Sequence, residues 1–188
     1  MFRNGAAHKQ ASVATLPFLR YRQTALAGNS VYAMNDLSDL ISLDAIDAGL
    51  GVTNKKTLFQ QLATAAGRLT GLSQKDILAA LQQREKLGST GFGYGVAIPH
   101  GKIEGLNGIF GYFARLNGPI EYQSIDTLPV DLVFLLLSPP DTGADHLKAL
   151  ARISRALRDR ATMAKLRGAR SKDAIFALLS GVETLNAA

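Results

Sequence analysis

His100 is the residue of this chain whose surroundings best suit chemistry. It follows a short apolar run, Val96–Ile98, with Pro99 directly before it and Gly101 directly after it. A neutral imidazole is a good nucleophile near neutral pH, and it can carry a phosphoryl group. Proline fixes the backbone on one side, and glycine leaves the ring open on the other. A lone histidine is otherwise usually an ordinary surface residue, so the prediction of a reactive histidine needs supporting side chains.

Two further side chains are candidates to act with His100. Arg84 shares a face of a predicted helix with apolar residues, where a guanidinium needs an anionic or hydrogen-bonding partner. His146 is followed by apolar residues at helical spacing, and it lies in the first turn of its predicted helix, where the dipole favours an anion. We expect Arg84 to clamp phosphate and His146 to bond either His100 or the phosphoryl group. The alternatives are an arginine whose stem packs at the surface and a satisfied histidine at the core edge.

A glycine-rich segment precedes the reactive histidine. Its hydroxyl and N–H groups can bond phosphoryl oxygens, although a polar turn after a helix explains each hydroxyl equally well. Its alternating glycines would remove side chains from one face of a strand and so admit a phosphate or a partner. We therefore expect contacts to phosphate or to a partner from Ser89, Thr90, Gly91, Gly93 and Tyr94.

The composition excludes several kinds of site. The 188 residues contain no cysteine, which excludes disulfides and thiolate sites, and the three histidines lack metal-ligand spacing. The net charge of the chain is +6, but residues 1–33 hold four basic and no acidic residues. The rest of the chain is therefore nearly neutral, whereas a nucleic-acid-binding domain usually carries a dense basic surface. No apolar run reaches the roughly 18 residues of a membrane helix, and no Gly-x-x-x-x-Gly-Lys-Ser/Thr loop indicates a nucleotide kinase. We expect no metal, cofactor, nucleic-acid partner or membrane insertion.

Residues 34–188 have the pattern of one mixed α/β domain, whereas residues 1–33 lack a sustained apolar period. We predict that 1–33 are a disordered or non-native extension. The apolar run Leu132–Leu137 predicts a central strand that is covered on both faces, so the fold class is a mixed β-sheet sandwiched between helices. A short, weak strand is predicted over 45–52, and further strands are predicted over 95–98 and 108–116. Helices are predicted to end near residues 70, 86, 157, 167 and 179, with capping boxes that begin at Ser73 and Thr142.

The segment Arg84–Lys102 resembles the phosphorylation site of the mannitol/fructose/nitrogen-regulatory class of enzyme IIA domains, which belong to the bacterial phosphotransferase system. The family signature has an amide or acidic residue, a spacer, an apolar-Gly pair and the ending apolar-Ala-apolar-Pro-His-Gly. Glu85, Phe92-Gly93 and Val96–Gly101 match it at the right spacing. Tyr94 departs from the asparagine of nitrogen-regulatory relatives, which puts the affinity for partners in question. The resemblance covers most of the chain, from about Leu37 to Leu179.

The resemblance implies a three-layer fold and a function. It implies that His100 accepts phosphate from the phosphocarrier protein HPr, with Arg84 and His146 beside it. The free-standing IIA-like unit and the run from Arg84 to Gly91 look most like the nitrogen-regulatory branch. We therefore expect a cytoplasmic phosphotransferase component that regulates target proteins according to its phosphorylation. The alternatives are a sugar-specific IIA that relays phosphate to a IIB partner, and a binding module without phosphotransfer.

Overall fold

A mixed sheet flanked by five helices makes up the part of the chain that the structure describes. The computed structural model describes residues 36–181. Its elements, in chain order, are β1 (Ile46–Leu50), α1 (Lys55–Thr70), α2 (Gln74–Lys86), β2 (Gly91–Gly93), β3 (Val96–Ala97), β4 (His100–Lys102), β5 (Phe110–Ile120), β6 (Val130–Ser138), α3 (Gly143–Ala156), α4 (Arg160–Gly168) and α5 (Lys172–Leu179).

The strand β6 lies at the centre of the sheet. It runs antiparallel to β5 on one side and parallel to β3 and β4 on the other. The outer strands are β1, which is parallel to β5, and β2, which is antiparallel to β3. Every residue of β6 except Asp131 is buried, so both faces of the strand are covered. The predicted central strand and the predicted α/β fold class are confirmed.

The ends of α1 and α2 follow from their capping residues. The Asn54 side chain accepts from the Thr57 N–H while the Thr57 hydroxyl bonds the Asn54 backbone, which closes a capping box at the start of α1. Gly71 ends α1 in the left-handed conformation, with φ of 76°. The Ser73 side chain then accepts from the Asp76 N–H and starts α2. Both predicted helices are therefore confirmed.

One local prediction is wrong, and another has the wrong bounds. Thr142 stands at the N-cap of α3, but its hydroxyl donates to the Pro139 carbonyl at 2.9 Å and does not cap the helix. The strand predicted over 95–98 is present, but it is shorter than predicted, since β3 comprises only Val96 and Ala97. Proline at position 99 cannot donate to a ladder, and it separates β3 from β4, although both strands run parallel to β6 in the same register.

The first and last segments of the described part of the chain are in contact, since the Leu37 N–H donates to the Leu179 carbonyl at 2.9 Å. The predicted extension 1–33 and the residues 182–188 lie outside the described residues, so the domain boundary at Met34 stays a prediction. No helix within residues 36–181 is both long enough and apolar enough to cross a membrane.

Candidate functional site

His100 is the first residue of β4 and pairs with Leu136, near the carboxyl end of the central strand. Its ring is half-buried, and its Nδ1 lies 2.8 Å from the Ile98 carbonyl oxygen. Because a carbonyl oxygen can only accept, Nδ1 must carry the ring proton in the neutral imidazole. The lone pair therefore lies on Nε2, which is the nitrogen available as a nucleophile.

The guanidinium of Arg84 lies directly beside this lone pair. Its Nε donates to His100 Nε2 at 2.9 Å, and its Nη1 donates to the Gly88 carbonyl at 3.0 Å. The second bond fixes the guanidinium at the end of α2. Arg84 thus has the hydrogen-bonding partner that its place on an inward face of the helix requires.

Gly101 allows α2 to approach β4 closely enough for the Arg84 contact. A Cβ at this position would lie 3.3 Å from the Ala80 Cβ and 3.4 Å from the Ala80 carbonyl carbon. We expected Gly101 to leave the imidazole open. The missing Cβ would instead point towards α2. The glycine acts through packing, since it sets the distance between α2 and the strand that holds His100.

His146 completes a group of three side chains. It lies in the first turns of α3, is only 7% exposed, and its ring centroid is 5.5 Å from that of His100. Its Nδ1 bonds the buried Ser138 hydroxyl at 2.8 Å, so Nε2 is the nitrogen left for another partner. The structure therefore brings together Arg84, His100 and His146, which the sequence places 16 and 46 residues apart.

Both histidines are held in the neutral form. Burial lowers the pKa of His100, and the nearby Arg84 charge lowers it further, although the bond to the Ile98 carbonyl opposes this effect. Burial likewise lowers the pKa of His146, with added repulsion from His100 and Lys102. Near pH 7 His100 is therefore unprotonated at Nε2, as a nucleophile must be.

Glu85 organises the backbone that leads towards the site. Its Oε2 accepts from the Thr90 N–H at 3.0 Å and from the Thr90 hydroxyl at 2.6 Å, and its Oε1 bonds Lys55 at 2.7 Å. Burial acts to raise the pKa of Glu85, but these hydrogen bonds outweigh it and hold the pKa below its usual range. Thr90 is buried, and its hydroxyl also bonds the Tyr122 hydroxyl at 2.7 Å. The Thr90 hydroxyl is thus engaged within the fold.

The remaining predicted contacts are spread along the sheet. Ser89 is exposed, and its hydroxyl accepts from the Gly91 N–H at 3.1 Å. Gly91 is buried, and a Cβ there would lie 2.7 Å from the Ser124 Cα. Ser124 therefore occupies the space that the missing side chain leaves. The alternating glycines thus do not open a face to phosphate at this position.

Gly93 and Tyr94 lie far from the two histidines. The next residue, Gly95, accepts from the Asp131 N–H, whereas His100 pairs with Leu136, five residues further along β6. At about 3.3 Å per residue this separation is roughly 17 Å. The structure therefore does not bring Gly93 or Tyr94 to the site, because β2 runs away from it.

The family model for the phosphoenolpyruvate-dependent sugar phosphotransferase system, EIIA 2, matches residues 39–182. The chain belongs to this EIIA 2 family. A nitrogen regulatory protein from Bradyrhizobium diazoefficiens is 54% identical over 144 residues, which are 77% of this chain and 94% of the relative. The nitrogen regulatory protein of Escherichia coli K12 is 34% identical over 149 residues, which are 78% of this chain and 91% of the relative.

A solved structure agrees with both the fold and the branch of the EIIA 2 family. The crystal structure of nitrogen regulatory protein IIA-Ntr from Neisseria meningitidis matches with a TM-score of 0.73 and 34% identity, and it covers 76% of this chain and 98% of that chain. The predicted resemblance to the enzyme IIA class, and within it to the nitrogen-regulatory proteins, is confirmed.

Two residues of this EIIA 2 domain belong to the site although the sequence analysis gave them no role. Lys102 donates to the Pro140 carbonyl at 2.9 Å, so its ammonium lies near the start of α3 and adds positive charge beside His146. The alternation of side chains along a strand could have indicated that Lys102 lies at the site, since residues 100 and 102 share a face of β4. Ser138 ends the apolar run of β6 and orients His146.

Within residues 36–181 no group of three or more His, Cys, Asp or Glu side chains could hold a metal ion.

Proposed function

We propose that this EIIA 2 protein accepts a phosphoryl group from the phosphocarrier protein HPr on Nε2 of His100, and that it regulates target proteins according to its phosphorylation. One observation carries the proposal. The Ile98 carbonyl holds the proton on Nδ1 while the Arg84 guanidinium lies 2.9 Å from Nε2. A nucleophilic lone pair and a phosphate-binding cation therefore meet at one atom.

The transfer uses groups that are already in place. The lone pair of Nε2 forms the new N–P bond as the P–N bond of the phosphorylated donor breaks, and the donor imidazole leaves with the electron pair of that bond. The ring proton stays on Nδ1, where the Ile98 carbonyl stabilises the positive charge that the ring acquires. The hydrogen bond from Arg84 to His100 Nε2 breaks, and the guanidinium donates instead to the phosphoryl oxygens, which are more strongly charged acceptors.

His146 is placed to assist in the same step. If the Ser138 hydroxyl donates to Nδ1 of His146, the ring proton lies on Nε2 and can be donated to a phosphoryl oxygen. With Lys102 nearby, the site offers a dianionic phosphoryl group two cations and one neutral donor. Such preorganised donors stabilise the charge on the transferring group in the transition state.

The surroundings of the site suit a protein donor. Leu87 follows the end of α2 three residues after Arg84, and Leu147 follows His146, and both leucines are exposed. Apolar side chains beside a reactive group are typical of a surface that docks another protein. Phosphorylation would add about −1.5 to −2 of charge to this surface. That change is the physical basis for partners that distinguish the two forms, as in a regulator.

A second candidate function is relay of the phosphoryl group to a IIB protein. The family description, which names a sugar phosphotransferase system, favours it. The chemistry on His100 is the same in both cases, and only the fate of the phosphoryl group differs. A discharge assay separates them, because a relay protein loses its label rapidly to a cognate IIB, whereas a regulator keeps it.

The test of the proposal is incubation with phosphoenolpyruvate, enzyme I and HPr, followed by intact-mass analysis. We expect one phosphoryl group per chain, dependent on HPr, with the acid lability and base stability of a phosphoramidate. The H100A variant should stay unlabelled while keeping the wild-type melting temperature. Equal labelling of H100A would contradict the proposal, as would an unlabelled wild-type protein in a reaction that labels a known enzyme IIA.

A further inference from the structure

The near-neutral net charge of the domain hides a strong separation of charge. Residues 152–172 contain eight basic residues and one acidic residue, whereas the rest of residues 36–181 contains nine basic and 13 acidic residues. The basic residues of this segment are Arg152, Arg155, Arg158, Arg160, Lys165, Arg167, Arg170 and Lys172. One part of the domain is therefore strongly positive and the remainder is negative.

Within residues 36–181, two of these eight cations form salt bridges. Arg152 bonds Asp39, and Arg167 bonds Asp131. The other six are exposed and have no carboxylate within salt-bridge distance among the residues that the structure describes. The carboxylate of Asp159, within the same segment, is taken up by N–H groups of the first turn of α4. Within residues 36–181 most of the positive charge of the segment is thus not neutralised by a carboxylate.

Two of the free guanidiniums stand over aromatic rings. The guanidinium carbon of Arg158 is 4.9 Å from the ring centroid of Phe92, and that of Arg160 is 5.6 Å from the ring centroid of Tyr94. The four side chains line one cleft. A cation–π contact of this kind holds a guanidinium near the ring and keeps its N–H groups free to bond an anion.

The backbone of the cleft is held firmly. The Tyr94 N–H donates to Asp126 at 2.7 Å, and the Tyr94 carbonyl accepts from Arg167 at 2.7 Å. These bonds hold Tyr94 at φ of 55°, a left-handed conformation that asparagine adopts more readily than tyrosine. The Tyr94 side chain is 54% exposed in spite of its size. A strained, fixed backbone that presents an exposed aromatic ring is more typical of a binding surface than of a solvated turn.

Exposed aliphatic side chains lie next to the cleft. Ile125 is 84% exposed, and its Cγ2 is 3.7 Å from the point where Gly93 would carry a Cβ. Leu128, in the same loop, is also exposed. Arginine and tyrosine around an apolar patch are the side chains that contribute most to protein–protein affinity.

We propose that Phe92, Tyr94, Arg158 and Arg160, together with Ile125 and Leu128, form a second docking surface for an acidic segment of a partner protein. The guanidiniums bond its carboxylates, and the rings and aliphatic residues bury an apolar side chain between them. The aliphatic residues favour a protein over a nucleic acid, and a guanidinium already covers one face of each ring, which leaves less room for a stacked base.

The position of this second docking surface gives it independence from phosphorylation. It adjoins the Asp131 end of β6, roughly 17 Å along the strand from the end that holds His100. A partner bound there leaves the phosphorylation site open to a phosphoryl donor. The inference does not rest on the proposed function of His100 and can fail or succeed separately from it.

The test is titration of the ¹⁵N-labelled full chain with a synthetic peptide in which aspartates and glutamates flank a leucine and a phenylalanine. We expect the largest amide shifts at Phe92, Tyr94 and residues 158–160. The R158E/R160E variant should bind at least about tenfold more weakly, because two charge-assisted contacts become repulsive. The matched control is K56E/K75E, which changes the net charge by the same amount at two exposed lysines outside the proposed surface. It should bind the peptide as the wild type does.

A second peptide, with serine in place of the leucine and phenylalanine, separates docking from general charge attraction. It should bind at least about threefold more weakly, and the I125S variant should lose the difference. HPr-dependent labelling of His100 should be unchanged in R158E/R160E. Shifts centred elsewhere, equal weakening in both charge variants, or equal affinity for both peptides would overturn the proposal. Tighter binding of a single-stranded oligonucleotide or an anionic phosphatidylglycerol vesicle to the same residues would also overturn it.

Discussion

Replacing Arg84 with alanine should slow phosphorylation of His100 without unfolding the protein. In the structure the Arg84 Nε is 2.9 Å from the atom that receives the phosphoryl group, and Nη1 is fixed by the Gly88 carbonyl. Removing one preorganised donor at a reacting centre typically costs on the order of 10²–10³ in rate, or about 2.7–4 kcal/mol. We therefore expect R84A to accept phosphate from HPr about 10²–10³ times more slowly than the wild type.

The same variant should also change the titration of His100. The Arg84 charge lowers the pKa of His100, so its removal should move that pKa upward towards 6.5. Burial is the larger cause and remains, so the pKa should stay below this ordinary value. Rates measured at about pH 8 compare fully neutral imidazoles in both proteins. Slower transfer there reports the lost guanidinium and not a change in protonation.

The assay is rapid-quench transfer from phospho-HPr, combined with NMR titration of the His100 ring and a thermal melt. Lys86→Ala is the matched control, because Lys86 is an exposed cation on the same helix and should leave the rate unchanged. Transfer by R84A within about twofold of the wild type, with an intact fold, would refute the role given to Arg84. A downward shift of the His100 pKa would refute the electrostatic account.

Three further predictions concern the support of the site. His146→Ala should slow transfer on the order of 10²-fold while His100 remains the labelled residue, and a wild-type rate would return His146 to a purely structural role. Gly101→Ala should lower the free energy of unfolding by about 1–3 kcal/mol, since the added Cβ would lie 3.3 Å from the Ala80 Cβ; unchanged urea unfolding would show that α2 shifts freely. The free energy of unfolding should fall on acidification below pH 6.5, because the lowered pKa values of His100 and His146 leave the unfolded state with more bound protons. The H100Q/H146Q variant should lose this part of the slope, and an unchanged slope would contradict the pKa directions.

The sequence could predict the elements whose signals are local. Asn54 and Gly71 mark the two ends of α1 through backbone hydrogen bonds within a few residues, and the apolar run of β6 identifies a buried strand whatever its neighbours are. Arg84 and His146 were each predicted as inward-facing from helical spacing. Their meeting at His100 followed from the family resemblance, since spacing alone does not fix how two helices approach a sheet.

The rest depended on contacts between segments distant in sequence. Gly101 was predicted to open the imidazole, but only the packing of α2 shows which atoms fill the space beside it. Gly93 and Tyr94 stand seven and six residues from His100 in sequence, and the extended course of β3 and β4 along β6 turns this short separation into the distance between the two ends of the sheet. The hydroxyl of Thr142 has a nearby carbonyl as a competing partner, which no capping pattern reveals.

The measurement that tests the central claim most directly is a long-range ¹H–¹⁵N NMR spectrum of the histidine rings after phosphorylation by HPr. The chemistry of the site requires that the phosphoryl group be on Nε2 of His100 and that the proton remain on Nδ1, bonded to the Ile98 carbonyl. The spectrum should therefore show an Nε2-phosphorylated His100 and an unmodified His146. A phosphoryl group on Nδ1 of His100, or on His146, would contradict the account.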